Sequence, residues 1–173
     1  MLKPPPGRAE KENVCQTKSI TADELAASVR EVLERTGRSP EVRLRSLATA
    51  PALPGARSGS IRIDGEPGGD LWLAISPEHL RALARAVLGR PGTPHPPPGG
   101  DDCVAAELLN QVAGVLRRRA DLPQGRMRLP HMGAAGRGGR QASPPAPGWV
   151  GVEARAGWGR ACFSFEPLGR GGG

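Results

Sequence analysis

The sequence predicts a single α+β domain, in which helices pack on one face of an antiparallel sheet. Two observations lead to this prediction. Apolar residues recur at helical spacing in three segments, and other segments alternate apolar with polar residues, as half-buried strands do. The chain order is a helix, strands, a second helix, a loop, a third helix and further strands. An antiparallel sheet with helices on one face fits that order.

The domain is expected at residues 19–168, between a polar tail at 1–18 and a short tail at 169–173. The chain has 173 residues, and its 25 Gly and 19 Pro cluster between the periodic segments. Two of these clusters, at 90–100 and 133–148, are expected to be low-complexity loops. The clustering is typical of a folded domain with loose loops rather than of a disordered chain.

The first helix is predicted to begin directly after Thr21. Thr21 as N-cap and Glu24 three residues later form a capping box, and Ile20 can pack against Leu25. Gly37 is expected to end the helix, which would bury one apolar stripe. This stripe consists of Leu25, Val29, Val32 and Leu33.

Strands are predicted wherever apolar and polar residues alternate, at 42–45, 60–64, 71–75, 126–129, 149–154 and 160–165. The second and third of these segments form an antiparallel pair, and the last two form another around a Gly-containing turn. The second helix is expected to start with Ser76 as N-cap and Pro77 at its first position, and to end at Gly89. Its core face would comprise Leu80, Leu83, Val87 and Leu88.

The third helix is predicted to begin with Asp101 or Asp102 as its cap and to run to about Arg119. A helical wheel gives it two faces. The apolar arc contains Val104, Ala105, Leu108, Val112, Val115 and Leu116. The opposite face carries Cys103, Glu107, Asn110, Gly114 and Arg117 or Arg118. Glu107 and Asn110 stand three residues apart and are therefore neighbours on one exposed stripe.

The stretch Ala106–Gly114, AELLNQVAG, resembles the ExxN helix signature of the CheC and CheX chemotaxis phosphatases. The surrounding elements are similar to that family in their order as well. Paired strands and a helix ending in Leu88-Gly89 precede the signature, Asp101-Asp102 leads into it, and Leu129-Pro130 follows it. The resemblance covers about residues 20–166.

The resemblance implies a phosphatase, a hydrolase that removes the aspartyl-phosphate of a CheY-like response-regulator receiver. Asn110 would orient the attacking water, and Glu107 would pair with a receiver lysine. Cys103, where the family usually has Asp or Ser, and Gly114 would belong to the same partner-binding surface. No metal or other cofactor of its own is implied, because the magnesium would belong to the receiver. The family precedent also allows a homodimer.

Two alternatives follow from the same sequence. One is a non-catalytic CheX-like module that binds a receiver or a motor-switch component. The other is a nucleic-acid-binding protein, since the net charge is +7 and its excess lies mainly after Gly125, where only Glu153 and Glu166 are acidic. No aromatic RNA-binding pattern, zinc-finger spacing or basic recognition helix accompanies these Arg residues, so nucleic acid is the less favoured partner.

The cysteines and the absence of apolar stretches predict a cytoplasmic protein without a membrane segment. Cys15, Cys103 and Cys162 lie far apart, and the N-terminus lacks the apolar core of a signal peptide. An odd number of distant cysteines in such a chain indicates reduced thiols. No segment is apolar over the length that a bilayer requires.

Overall fold

The computed structural model describes residues 19–36, 41–50, 53, 55–65, 68–88, 100–122, 127, 130–134 and 147–168. The tails predicted at 1–18 and 169–173 lie outside these residues, as do most of the loops predicted at 90–100 and 133–148.

Three helices and six strands are present in the described residues. The helices are α1 (Ala22–Thr36), α2 (Pro77–Leu88) and α3 (Gly100–Arg119). The strands are β1 (Arg43–Leu47), β2 (Arg57–Ile63), β3 (Gly69–Ile75), β4 (His131–Ala134), β5 (Val150–Ala156) and β6 (Gly159–Pro167). They form one sheet in the order β1-β5-β6-β3-β2-β4, and every neighbouring pair is antiparallel. The predicted α+β class is confirmed.

One face of the sheet forms the core together with the helices. Successive strand residues point to opposite faces, and alternate residues are buried along all of β3 and most of β2 and β6. Ile61, Leu71 and Phe165 lie directly opposite one another across these strands. Helix α1 covers β1 and β5, whereas α3 covers β2 and β3. Burying each such large side chain stabilises the fold by about 1.5–3 kcal/mol.

The start of α1 matches the predicted capping box. The Thr21 backbone N–H donates to Glu24 Oε2 over 2.9 Å, and the Glu24 N–H donates to Thr21 Oγ1 over 3.2 Å. Ile20 and Leu25 are both buried in the core. These bonds satisfy helix-end donors that would otherwise lack a partner, which fixes where α1 begins.

Of the strand predicted at 126–129, only Met127 lies among the described residues. The described strand is β4, which starts after Pro130 and pairs with β2, whereas Met127 makes only an isolated bridge to Ile63. Pro130 directly precedes β4. A proline, which lacks an N–H, is tolerated at the start of an edge strand. Which residues form β4 depends on pairing with β2, and the local sequence does not show that pairing.

The prediction that Leu88 faces the core is wrong. Leu88 is the last residue of α2, and 51% of its surface is exposed. Leu80 and Leu83 are buried, and Val87 is partly buried. Leu88 lies past the last turn that the sheet and α3 cover, so the apolar pattern extends one residue beyond the core.

Candidate functional site

Helix α3 lies between α1 and α2 and rests on β2 and β3. Its buried side is therefore wider than the predicted apolar arc. The residues of that arc are all buried, and so are Leu109 and Ala113, which the arc did not include. Neighbours on both sides leave α3 with only a narrow exposed stripe.

That stripe carries the predicted site residues. Cys103, Glu107 and Asn110 are all exposed, at spacings of four and three residues that place them in one line along the helix. The Asn110 carboxamide makes no hydrogen bond to any described residue. At Gly114, an added Cβ would meet no atom within 4 Å, so its missing side chain leaves open space. The four residues present a polar surface that another molecule can approach closely.

Glu107 is held by a residue that the sequence prediction missed. The Gln111 Nε2 donates to Glu107 Oε1 over 2.7 Å, and Arg35 Nη2 from α1 donates to Gln111 Oε1 over 3.3 Å. Glu107 Oε2 makes no hydrogen bond within the described part of the chain. The spacing of four residues could have pointed to Gln111. Nothing in the sequence points to Arg35, which is 76 positions away.

A second polar contact ties α1 to α3. Glu31 pairs with Arg119 over 2.7 Å and with Arg118 over 3.6 Å. The hydrogen bond from Arg119 is the main reason why the pKa of the Glu31 carboxyl lies below its ordinary value. Together with the Arg35–Gln111 bond, this contact fixes the position of α1 beside the exposed stripe.

The first turn of α3 is attached to the sheet by an ion pair between Arg57 of β2 and Asp102. Two guanidinium nitrogens bind the two carboxylate oxygens, with Nε donating to Oδ1 over 3.1 Å. The helix begins at Gly100, so Asp101 and Asp102 both lie inside the first turn, and neither is the cap that the sequence predicted. The Asp102 carboxylate still favours the positive end of the helix dipole.

Of the Arg residues after Gly125, the structure describes Arg155 and Arg160. Both lie on the sheet face away from the helices, in a cross-strand row with Arg43. Both also form ion pairs with Glu153, at 2.7 and 3.9 Å. The hypothesis that this third of the chain binds nucleic acid stays a prediction.

The other sequence predictions concern the cysteines, metal binding and membrane segments. Cys103 and Cys162 carry free thiols, and burial raises the pKa of Cys162 to about 11. Cys15 lies outside the described residues. Within the described ranges, no group of His, Cys, Asp or Glu side chains has a metal-binding arrangement. None of the described helices has both the length and the apolar character needed to cross a bilayer.

Several solved structures with a similar arrangement of strands and helices are chemotaxis proteins. A chain in the complex of CheX with CheY, BeF3 and magnesium from Borrelia burgdorferi superposes with a TM-score of 0.66 at 10% identity, over 85% of this chain and 97% of that one. A CheC-like chemotactic protein from Shewanella oneidensis gives 0.60 at 18% identity, over 83% and 94%. The chemotaxis protein CheX from Desulfovibrio desulfuricans gives 0.58 at 14% identity, over 85% and 98%.

The chain has the CheX-like fold. No protein-family model matches its sequence, and no curated protein matches it at a significant level. The CheX-like fold is therefore apparent from the backbone arrangement, and the similarity extends over nearly the full length of the matched chains. Within this fold, Glu107 and Asn110 occupy the exposed positions that the helical pattern predicts for them.

Proposed function

We propose that the protein acts in chemotaxis or related two-component signalling, by hydrolysing the aspartyl-phosphate of a CheY-like receiver. The observation that carries the proposal is the exposed stripe of α3, where Asn110 makes no side-chain hydrogen bond to a described residue. The CheX-like fold supports it, because one similar structure is a complex of CheX with CheY.

In this proposal, Asn110 enters the receiver site and orients water. A carboxamide both donates and accepts hydrogen bonds and carries no titrating group, so it can hold water across the physiological pH range. The water oxygen forms a bond to phosphorus while the bond between phosphorus and the receiver's aspartyl oxygen breaks. The products are inorganic phosphate and a free aspartate. Fixing the water in line with the breaking bond supplies most of the rate enhancement.

Glu107 docks the helix against the receiver. Its Oε2, which has no hydrogen bond among the described residues, would accept one from a receiver lysine. Such a charge-assisted bond gains strength as the interface excludes water. The magnesium that the reaction uses would be bound by the receiver.

Cys103 and Gly114 extend the contact to either side. Cys103 lies one turn before Glu107 and carries a short side chain, and Gly114 lies about one turn after Asn110. Open space at Gly114 would let the receiver backbone approach α3 closely. Residues without bulk at these two positions therefore suit an interface that inserts Asn110 into a recessed site.

The test measures how long phosphorylated receivers from the same organism keep their phosphate, with and without the protein. We expect a shortened lifetime for at least one receiver. Binding of a receiver with an unchanged lifetime would instead establish the non-catalytic alternative, which the Cys at position 103 makes worth testing. If no receiver binds and no lifetime changes, the proposal is wrong.

A further inference from the structure

The side-chain amide of Gln111 is fixed in one orientation by two different neighbours. Arg35 can only donate hydrogen bonds and therefore faces Gln111 Oε1, at 3.3 Å. The carboxylate of Glu107 can only accept, and it faces Gln111 Nε2, at 2.7 Å. Both contacts select the same amide orientation. The result is a chain of hydrogen bonds from α1 to Glu107, with Gln111 in the middle.

We propose that Gln111 positions Glu107 for docking, that Arg35 holds Gln111 in place, and that the last turn of α1 therefore belongs to the docking surface. This inference rests on the proposed function and names the residues that make its docking step efficient. Gln111 and Arg35 are positioning residues, since they act through Glu107.

The arrangement holds Glu107 without neutralising it. An Arg in direct contact with Glu107 would form an ion pair that docking would have to break. The neutral amide of Gln111 separates the two charges, occupies only Oε1 and leaves Oε2 for the partner's cation. An exposed Glu side chain loses rotamer freedom on binding, which lowers affinity by about twofold to tenfold. Glu107 is already held in one conformation, so docking avoids much of this loss.

Affinity measurements on three variants test the proposal. The probe is a beryllofluoride-loaded CheY-like receiver from the same organism, chosen because wild-type protein binds it. Gln111→Met keeps the side-chain length but removes both hydrogen bonds, so we expect about fivefold weaker binding. Arg35→Gln should weaken binding about twofold. Arg30→Gln is the matched control, because it removes the same charge from an exposed position of the same helix and should leave affinity unchanged.

A double-mutant cycle separates positioning from a general structural effect. In a Glu107→Ala background, Gln111→Met should cause no further loss of affinity, because the residue through which it acts is gone. The dephosphorylation rate of the saturated complex should not change in Gln111→Met. An unchanged affinity in Gln111→Met, or an equal loss in both backgrounds, would overturn the inference while the proposed function still holds.

A second measurement needs no receiver. The side-chain amide resonances of Gln111 in a 1H–15N NMR spectrum should shift in Arg35→Gln and in Glu107→Ala, and should stay in place in Arg30→Gln. Resonances that do not respond to Arg35→Gln would show that the hydrogen-bond chain is absent in solution. A wild-type protein that binds no receiver would instead refute the proposed function, and the docking role with it.

Discussion

Glu107 and Glu153 are two carboxylates in opposite surroundings. Glu107 is exposed on α3, and a neutral amide occupies one of its oxygens. Glu153 lies on β5 with only 4% of its surface exposed, and three Arg side chains surround it. Arg155 donates to Oε1 over 2.7 Å, while Arg45 and Arg160 lie 3.7 and 3.9 Å away.

Glu153 is thus a structural carboxylate, whereas Glu107 is available to a partner. The Arg155 hydrogen bond is the main reason why the pKa of Glu153 lies below its ordinary value, and the charges of Arg45 and Arg160 add to it. The three Arg side chains allow the charged Glu153 carboxylate to be buried, because burial of a carboxylate without counter-charges would be unfavourable. Glu107 has an oxygen without a hydrogen bond among the described residues, and none of those residues forms an ion pair with it. Its remaining hydrogen-bonding capacity faces outward.

The largest expected effect concerns Asn110, whose carboxamide makes no hydrogen bond to a described residue. Asn110→Ala should lower the rate of receiver dephosphorylation by about 100-fold, because misplacing the water costs that much. Receiver affinity should change by less than about twofold, because the Asn110 contact to water matters chiefly in the transition state. Glu107→Ala should instead weaken affinity. The measurements are the rate at saturating protein and the dissociation constant; an Asn110→Ala variant of wild-type activity would refute the assignment.

Replacing Glu153 or Glu107 with Gln tests whether the two carboxylates contribute differently to stability. Glu153→Gln should lower the free energy of unfolding by about 2 kcal/mol, because three Arg residues lose their counter-charge. Glu107→Gln should change it by less than about 0.5 kcal/mol, as expected for an exposed position. Urea denaturation of both variants gives the values. Equal effects of the two substitutions would mean that burial and ion pairing do not distinguish these residues.

A third carboxylate, Glu24, sharpens the comparison because it is only partly buried and one of its oxygens binds Thr21 at the start of α1. Its Oε2 accepts hydrogen bonds from both the backbone N–H and the hydroxyl of Thr21. Thr21→Ala removes the N-cap and should cost about 1 kcal/mol of stability. Thermal melting measures the loss, and Thr36→Ala, which removes a hydroxyl bond to the Val32 carbonyl instead of a cap, serves as the comparison. A stability equal to that of wild type would show that the capping box does not contribute.

The smallest expected effect is on pH dependence. The pKa of Glu153 is lowered in the folded protein, so its contribution to stability is complete above its ordinary value of 4.5 and is lost as the pH falls through the lower folded-state value. The stability difference between wild type and Glu153→Gln should therefore shrink as the pH falls below 4.5. Denaturation at several pH values measures it. A difference that is constant over this range would contradict the ion-pair explanation.

Features set by local spacing could be predicted from the sequence. The capping box at Thr21 and the exposed positions of Glu107 and Asn110 follow from residues within one helical turn of each other. The burial of Leu109 could not be predicted, because it depends on α1 and α2 packing beside α3. The Arg35 contact with Gln111 depends on the same packing.

The strand predictions were likewise limited to pairs whose strands are close in the chain. Alternation predicted the β2–β3 and β5–β6 pairs, whose partners are close in the chain. The position of β4 depends on pairing with β2, which lies far earlier in the sequence. Glu153 occupies an alternating position that normally faces solvent, and its burial comes from Arg45 and Arg160 on the neighbouring strands.

The strand order has a consequence for how the chain folds. Strand β1 lies at the edge of the sheet, and within the described residues its only strand partner is β5, with Leu44 opposite Ala154. The pair cannot form until nearly the whole domain has been synthesised, whereas β2 and β3 can pair as soon as their short connection has formed. Contacts between distant segments slow folding, because a long loop must close before they form. During synthesis, β1 therefore keeps both of its edges unpaired until the C-terminal hairpin of β5 and β6 emerges, and the hairpin is the segment that completes the sheet.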